Sequence, residues 1–112
     1  MRFNAKGQHL FVSDNVEIIL GIPASSFIGK THQELGFPIQ MCTFWEQAIQ
    51  QPFQSKNTYE TEFELDGSQG TRIYNWRLTP DFDAEEEVRS VLAVARDITQ
   101  QKTAELFSQK NA

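Results

Sequence analysis

Residues 91–106 read VLAVARDITQQKTAEL. Five apolar residues in a row, Val91 to Ala95, give way at Asp97-Ile98-Thr99 to a polar tail with helix-forming composition. The longer run VRSVLAVARDI (88–98) is apolar on both faces, as expected of a strand covered on both sides. Thr99 is a good N-cap candidate for the helix that follows. Lys102, rather than the glutamate of a capping box, stands three residues on.

Two strictly alternating segments precede this strand. YETEFEL (59–65) puts Tyr59, Thr61, Phe63 and Leu65 on one face and Glu60, Glu62 and Glu64 on the other. DGSQG (66–70) reads as a turn. RIYNWRLT (72–79) then places Tyr74, Trp76 and Leu78 on its bulky face, Pro80 closes it, and DFDAEEE (81–87) is an acidic loop.

The first half of the chain has a different character. HLFVS (9–13) reads as a strand after the Lys6-Gly7 turn. Asp14 is a candidate cap for a helix carrying Val16, Ile19 and Leu20, stopped by Gly21. Ser25 or Ser26 caps a short turn, and glycine-punctuated turns continue through THQELGF (31–37). Pro38 can open one longer helix, roughly Ile39 to Gln51, with Met41, Trp45 and Ala48 on one face and Cys42 and Ile49 beside them. Pro52 marks its end. Short helices followed by three antiparallel strands give an α+β domain with the helices on one face of the sheet.

A chain of 112 residues can bury one core. Nine Phe, two Trp and two Tyr supply the bulk for it. No apolar stretch reaches the ~18 residues of a membrane span and no secretory signal precedes the first strand, so no membrane contact is expected. The single cysteine, Cys42, cannot form an internal disulfide, which points to a cytoplasmic setting. Ten basic against fifteen acidic residues leave a net charge of −5, without a basic cluster to attract nucleic acid.

NAKGQHLFVSDNVEIILGIPASSFIGK (4–30), YETEFELDGSQGTRIYNWRLTP (59–80) and above all VLAVARDITQQKTAE (91–105), in this order and spacing, resemble a PAS domain, the sensory module of histidine kinases, cyclases and other signalling proteins. The resemblance implies a five-stranded antiparallel sheet with short helices across one face and a C-terminal output helix. The sensory domain would span 1–98, and 99–112 would begin the linker or output helix. Two departures stand out. Only Met1 to Asn4 are available for the first strand, which the family makes central, so it is short or truncated; and the acidic loop lacks the glycine often found there.

In such domains a pocket lies between helices and sheet. Met41, Trp45, Ile49, Phe63, Tyr74, Trp76, Leu78, Val91, Ala93 and Ala95 are the positions the resemblance and the alternation assign to it. Leu92, Val94 and Arg96 fall on the outer face, where the family packs flanking or partner helices, and a homodimer is implied. Asp97 and Thr99 would relay a signal to a C-terminal effector domain in the same chain. The inward face offers few polar anchors, Tyr74, Thr61 and the Trp76 indole, so a small apolar or aromatic ligand is expected.

The cofactor remains unknown. A cysteinyl-flavin photosensor needs a cysteine where GKTHQEL (29–35) has His32, and Cys42 lies too far along to replace it. Haem needs an axial histidine on the longer helix, which has none. His9 and His32 read as surface residues and Cys42 as a small core residue. The run Asp81, Asp83, Glu85, Glu86, Glu87 lacks the spacing of an EF-hand and reads as a solvated loop, so no metal site is expected. No nucleophile with an adjacent base and no phosphate-binding loop appears, so no catalytic site is expected.

The reading is a sensory module, with a sensor histidine kinase as its parent. The alternatives are a ligand-free dimerisation or protein–protein interaction module, and the input domain of a cyclic-dinucleotide enzyme.

Overall fold

The computed structural model describes residues 1–67 and 70–110, the last four as backbone alone. Nine elements follow in order. These are β1 (Arg2–Phe3), β2 (His9–Phe11), α1 (Val16–Leu20), a 3₁₀ turn (Ala24–Ser26), α2 (Ile39–Ser55), β3 (Tyr59–Gly67), β4 (Gly70–Phe82), β5 (Val88–Asp97) and α3 (Thr99–Lys110). The five strands form one antiparallel sheet in the order β2-β1-β5-β4-β3. β1 is two residues long and interior, between β2 and β5. Arg2 pairs with Leu92 and Phe3 with Val91.

The alternation expected of the long strands is present. On β3, Tyr59, Thr61, Phe63 and Leu65 are half-buried and the three glutamates between them exposed. On β4, Tyr74, Trp76 and Leu78 are buried. On β5, Val91 and Ala93 are buried, while Leu92, Val94 and Arg96 face outward. The inner face packs on α2 through Trp45, Ala48 and Ile49, which join Phe3, Trp76, Leu78, Val91 and Ala93 in the main core. A second cluster, Val12, Val16 and Phe27, sits under α1.

Several boundaries differ from expectation. Pro80 does not end its strand: β4 runs to Phe82 with Pro80 opposite Val91. β3 begins at Tyr59, opposite Leu78, so β4 has a single neighbour at Pro80 and can tolerate a residue without an N–H there. Nor does Pro52 end α2, which continues to Ser55. Only the Pro52 hydrogen bond is forfeited, its ring is fully buried in the fold, and the last turn closes when the Lys56 N–H reaches the Pro52 carbonyl at 2.9 Å. Asp14 is not the helix cap: Asn15 occupies that position without a side-chain bond, and Gly21 ends α1 at φ 74°. The next turn has Pro23 as its cap, with no side-chain bond from either serine. β2 stops at Phe11 rather than Ser13. The turn expected at residues 66–70 has its centre, Ser68 and Gln69, outside the described residues, as are Asn111 and Ala112 of the expected linker.

In the acidic loop, Glu86 takes the left-handed conformation (φ 64°) that glycine adopts without strain. Asp83 organises this loop by accepting the Glu85 and Glu87 amides at 2.8 and 3.1 Å. Gly67 is required for another reason. A Cβ there would lie 2.7 Å from the Ile19 carbonyl oxygen, so β3 passes under α1 only as glycine.

Candidate functional site

Between the sheet and the helices lies a cavity of about 310 Å³. Its roof is α1 (Val16, Ile19, Leu20) with Phe27, His32 and Phe37 from the loop segments. Trp45 of α2 forms one wall. Phe63 and Leu65 of β3, Tyr74 and Trp76 of β4, and Ala93 and Ala95 of β5 form the floor. The small side chains on β5 leave this volume open, whereas the rings around it are in mutual contact. Trp45 meets Phe63 at 5.6 Å and Phe37 at 5.2 Å, both edge-on, and Phe63 meets Trp76 at 5.6 Å.

Of the ten residues assigned to the pocket from sequence, Trp45, Phe63, Tyr74, Trp76, Ala93 and Ala95 line it. Met41, Ile49, Leu78 and Val91 do not. Ile49, Leu78 and Val91 are fully buried in the main core and Met41 packs against it half-buried. Alternation gives a residue's face but not its position along the strand: Leu78 and Val91 lie where Ala48 and Ile49 of α2 fill the space between helix and sheet, while Met41, on the first turn of α2, packs against the core.

The structure overturns the surface reading of the two histidines. His9 is fully buried and His32 is 5% exposed. His9 begins β2 beside central β1, and its Nδ1–H donates to the Lys30 carbonyl at 2.6 Å. His32 lies between His9, which it meets edge-on, and Trp45, to which it is tilted, with ring centroids at 4.7 and 4.6 Å. Burial, and then the proximity of His9, pulls the His32 pKa down to about 3, and burial likewise lowers that of His9. Both rings are neutral at pH 7. His9 Nε2, His32 Nδ1 and Trp45 Nε1 are buried without a hydrogen-bond partner among the described residues. The rings of His32 and Trp45 line the cavity and that of His9 does not, and all three nitrogens are covered by surrounding atoms. A histidine following Thr31 in a capping-box arrangement (Thr31 and Glu34 bond reciprocally at 3.1 and 3.2 Å) was the available clue.

Cys42 is buried as expected of a core residue. It donates to the Phe37 carbonyl at 3.4 Å, and burial pushes its thiol pKa up, away from reactivity.

Two residues beyond the cavity wall, β5 ends in a compact junction. Asp97 Oδ2 accepts from Arg72 Nε at 2.8 Å and Oδ1 from the Thr99 N–H at 3.0 Å. The Ile73 N–H donates to Thr99 Oγ1 at 2.7 Å, and the Ile98 N–H to the Ile73 carbonyl at 2.8 Å. Thr99 thus does not cap its helix. It is already the first helical residue, its hydroxyl is engaged with β4, and Asp97 supplies the acceptor that the helix start needs. The Arg72 hydrogen bond, followed by those from Thr99, holds the Asp97 carboxyl at a pKa of about 2. One turn on, Lys102 pairs with Glu62 of β3 at 3.2 Å. On the outer face, Val94 (56% exposed) and Leu92 (36%) form an apolar strip beside Arg96.

The PAS fold family matches residues 2–103. The chain belongs to the PAS fold family. No curated protein matches the chain in sequence. Among solved structures, the PAS fold is shared with Vibrio cholerae VqmA, described as a LuxR-type receptor (14% identity, TM-score 0.78, 89% of this chain and 45% of that one). It is shared too with a sensory box sensor histidine kinase from Vibrio cholerae (13%, 0.71, 88% and 79%). A third is the PAS domain of the quorum-sensing receptor RpfR from Cronobacter turicensis in complex with BDSF (17%, 0.68, 88% and 90%). The chain spans about half the length of the VqmA chains. Among the described residues, no helix is long and apolar enough to cross a membrane, and no three His, Cys, Asp or Glu side chains gather as a metal-binding group.

Proposed function

We propose that this PAS domain is the non-catalytic sensory module of a sensor histidine kinase, with a small molecule in the cavity as its input. The observation that carries the reading is the economy of β5. Ala93 and Ala95 form the cavity floor, and Asp97, two residues on, holds the start of α3. A ligand that shifts this strand displaces the junction with it, without a longer relay. Val94 and Leu92 on the opposite face of the same strand supply the contact for a homodimer, which brings two α3 helices to an effector in the same chain. The solved RpfR and VqmA structures, described with bound BDSF and DPO, support a ligand reading of the fold.

Asp97→Ala in the full-length protein tests it. Output is expected to lose its dependence on the stimulus while the domain remains folded, and regulation that is unchanged in a folded variant overturns the relay. Mass spectrometry of small molecules retained by the purified protein tests the input. The exposed Leu92–Val94 strip favours a second reading, a ligand-free dimerisation module. Retained dimerisation with no ligand found would select it.

A further inference from the structure

Between Phe27 and Cys42 the chain buries a single residue, His32, although this stretch supplies part of the cavity roof. Leu35 and Phe37 are half-buried, and Gln33, Glu34 and Gly36 are exposed. Gly29 and Gly36 flank the segment in the left-handed region, at φ 80° and 87°, with open space around both. The hydrogen bonds of residues 31–36, among the described residues, all close within 31–37. What fastens the segment to the rest of the fold is therefore the His32 ring. Phe3, His9, Phe37 and Trp45 enclose it, at centroid distances of 5.6, 4.7, 5.8 and 4.6 Å.

That enclosure suits a neutral imidazole and not an imidazolium, which would lose its hydration without meeting a counter-charge. The charged and titratable groups of the neighbouring elements give no relief. The Met1 ammonium before β1 and His9 on β2 both oppose a further positive charge. On α2, Cys42 gives its thiol to the Phe37 carbonyl, and Glu46 acts on that thiol. Lys30 is exposed, and so is Glu34, whose carboxylate accepts the Thr31 N–H.

We propose that residues 31–36 form an acid-released lid over the cavity, pinned shut by the neutral ring of His32. The input to this device is the proton, and it operates whether or not a ligand occupies the cavity. Closed, His32 stays neutral far below its ordinary pKa of 6.5; opened to water, it regains that value. The open form thus binds a proton that the closed form does not. The stabilisation of the closed lid is fully present above pH 6.5 and is lost progressively below it. At pH 5 the closed-to-open ratio is about thirtyfold lower than at pH 7.5. Carboxylates, which titrate near about pH 4, stay ionised over that window.

Hydrogen exchange of the unaltered chain, corrected for intrinsic rates at each pH, reads this ratio. The Leu35 and Phe37 amides report the lid, and those of Trp76 and Leu78 on β4 report global unfolding. The lid amides are expected to be less protected than the β4 pair throughout, and to lose about thirtyfold in protection from pH 7.5 to 5. His32→Phe, which keeps Met1, His9 and Glu34, should shrink that fall by about the same factor. Equal protection of lid and β4 amides shows a segment that opens only with the whole fold, and overturns the lid. Lid amides already unprotected at pH 7.5 overturn it too. A His32 ring resonance that titrates near pH 6.5, or lid protection constant over the range, overturns the pin. These readings on the unaltered chain require no variant to fold.

Discussion

Replacing Asp97 separates the two things its carboxylate does. One oxygen accepts the Thr99 N–H at 3.0 Å and starts α3; the other pairs with Arg72 at 2.8 Å, with both side chains about one-third exposed. Asp97→Asn can keep the first bond and abolishes the ion pair, which contributes little in such a solvated position. Asp97→Ala removes both. Loss of an acceptor at a helix start costs about 1 kcal/mol. For a domain of this size that is a fall of roughly 4–8 °C in Tm. The effect should concentrate in α3, because a 12-residue helix that is largely exposed over 99–106 has little stability of its own. Hydrogen exchange at the amides of Thr99 to Lys102 is the direct assay, with urea unfolding beside it. Protection should fall sharply in the alanine variant and little in the asparagine variant.

The acid limb supplies an independent check on the same residue. The native pKa of Asp97, about 2, lies below the ordinary value of 3.8. Its ionised form therefore stabilises the fold fully above pH 4, and that contribution disappears as the pH falls through 4 towards 2. Because the Arg72 pair is screened by solvent, Asp97→Asn should flatten the stability profile in this window only slightly. Equal α3 protection in all three proteins, with an unchanged acid limb, would refute the assignment of Asp97 as the junction's anchor.

Three further outcomes follow from the geometry. Gly67→Ala places a methyl group against the Ile19 carbonyl, so α1 must lift; stability should drop by about 1–3 kcal/mol in urea unfolding, as overpacking does, and the α1 resonances should shift together. Glu86→Gly relieves a left-handed residue and should stabilise by about 0.5–1 kcal/mol, whereas Glu86→Ala should give no such gain. Val94→Asp should abolish the proposed dimer in sedimentation analysis while leaving the unfolding midpoint of the isolated chain almost unchanged, since Val94 is 56% exposed.

What the sequence disclosed was mainly local periodicity. Tyr59 to Leu65 alternate because one face of β3 is covered, and that pattern is written in adjacent residues. The inward and outward sets on β5 were legible in the same way. Prolines misled in both places where a strand or helix continued through them, because their cost depends on whether a neighbour needs the missing N–H. The histidines were illegible for a related reason. His9 is buried by β1 and Lys30, and His32 by Phe3 and Trp45, contacts that exist only once the sheet and α2 are assembled. The line between cavity and core, with Trp45 on one side and Ile49 on the other, is likewise set by how closely α2 approaches the sheet.

The placement of β1 bears on how the domain is assembled. Its two residues pair with Val91 and Leu92, so the interior of the sheet joins residues 2–3 to residues 91–92, far apart in sequence. The β3–β4 and β4–β5 hairpins can form from neighbouring sequence, but Phe3 finds its place only after β5 exists, and closing so long a loop is slow. During synthesis the first thirty residues, including His9, Phe27 and the α1 roof, must wait for the last thirty. The cavity is therefore completed late, at the step that docks β1 and β2 onto the finished hairpins. A ligand present at that moment would act on folding as well as on the folded protein.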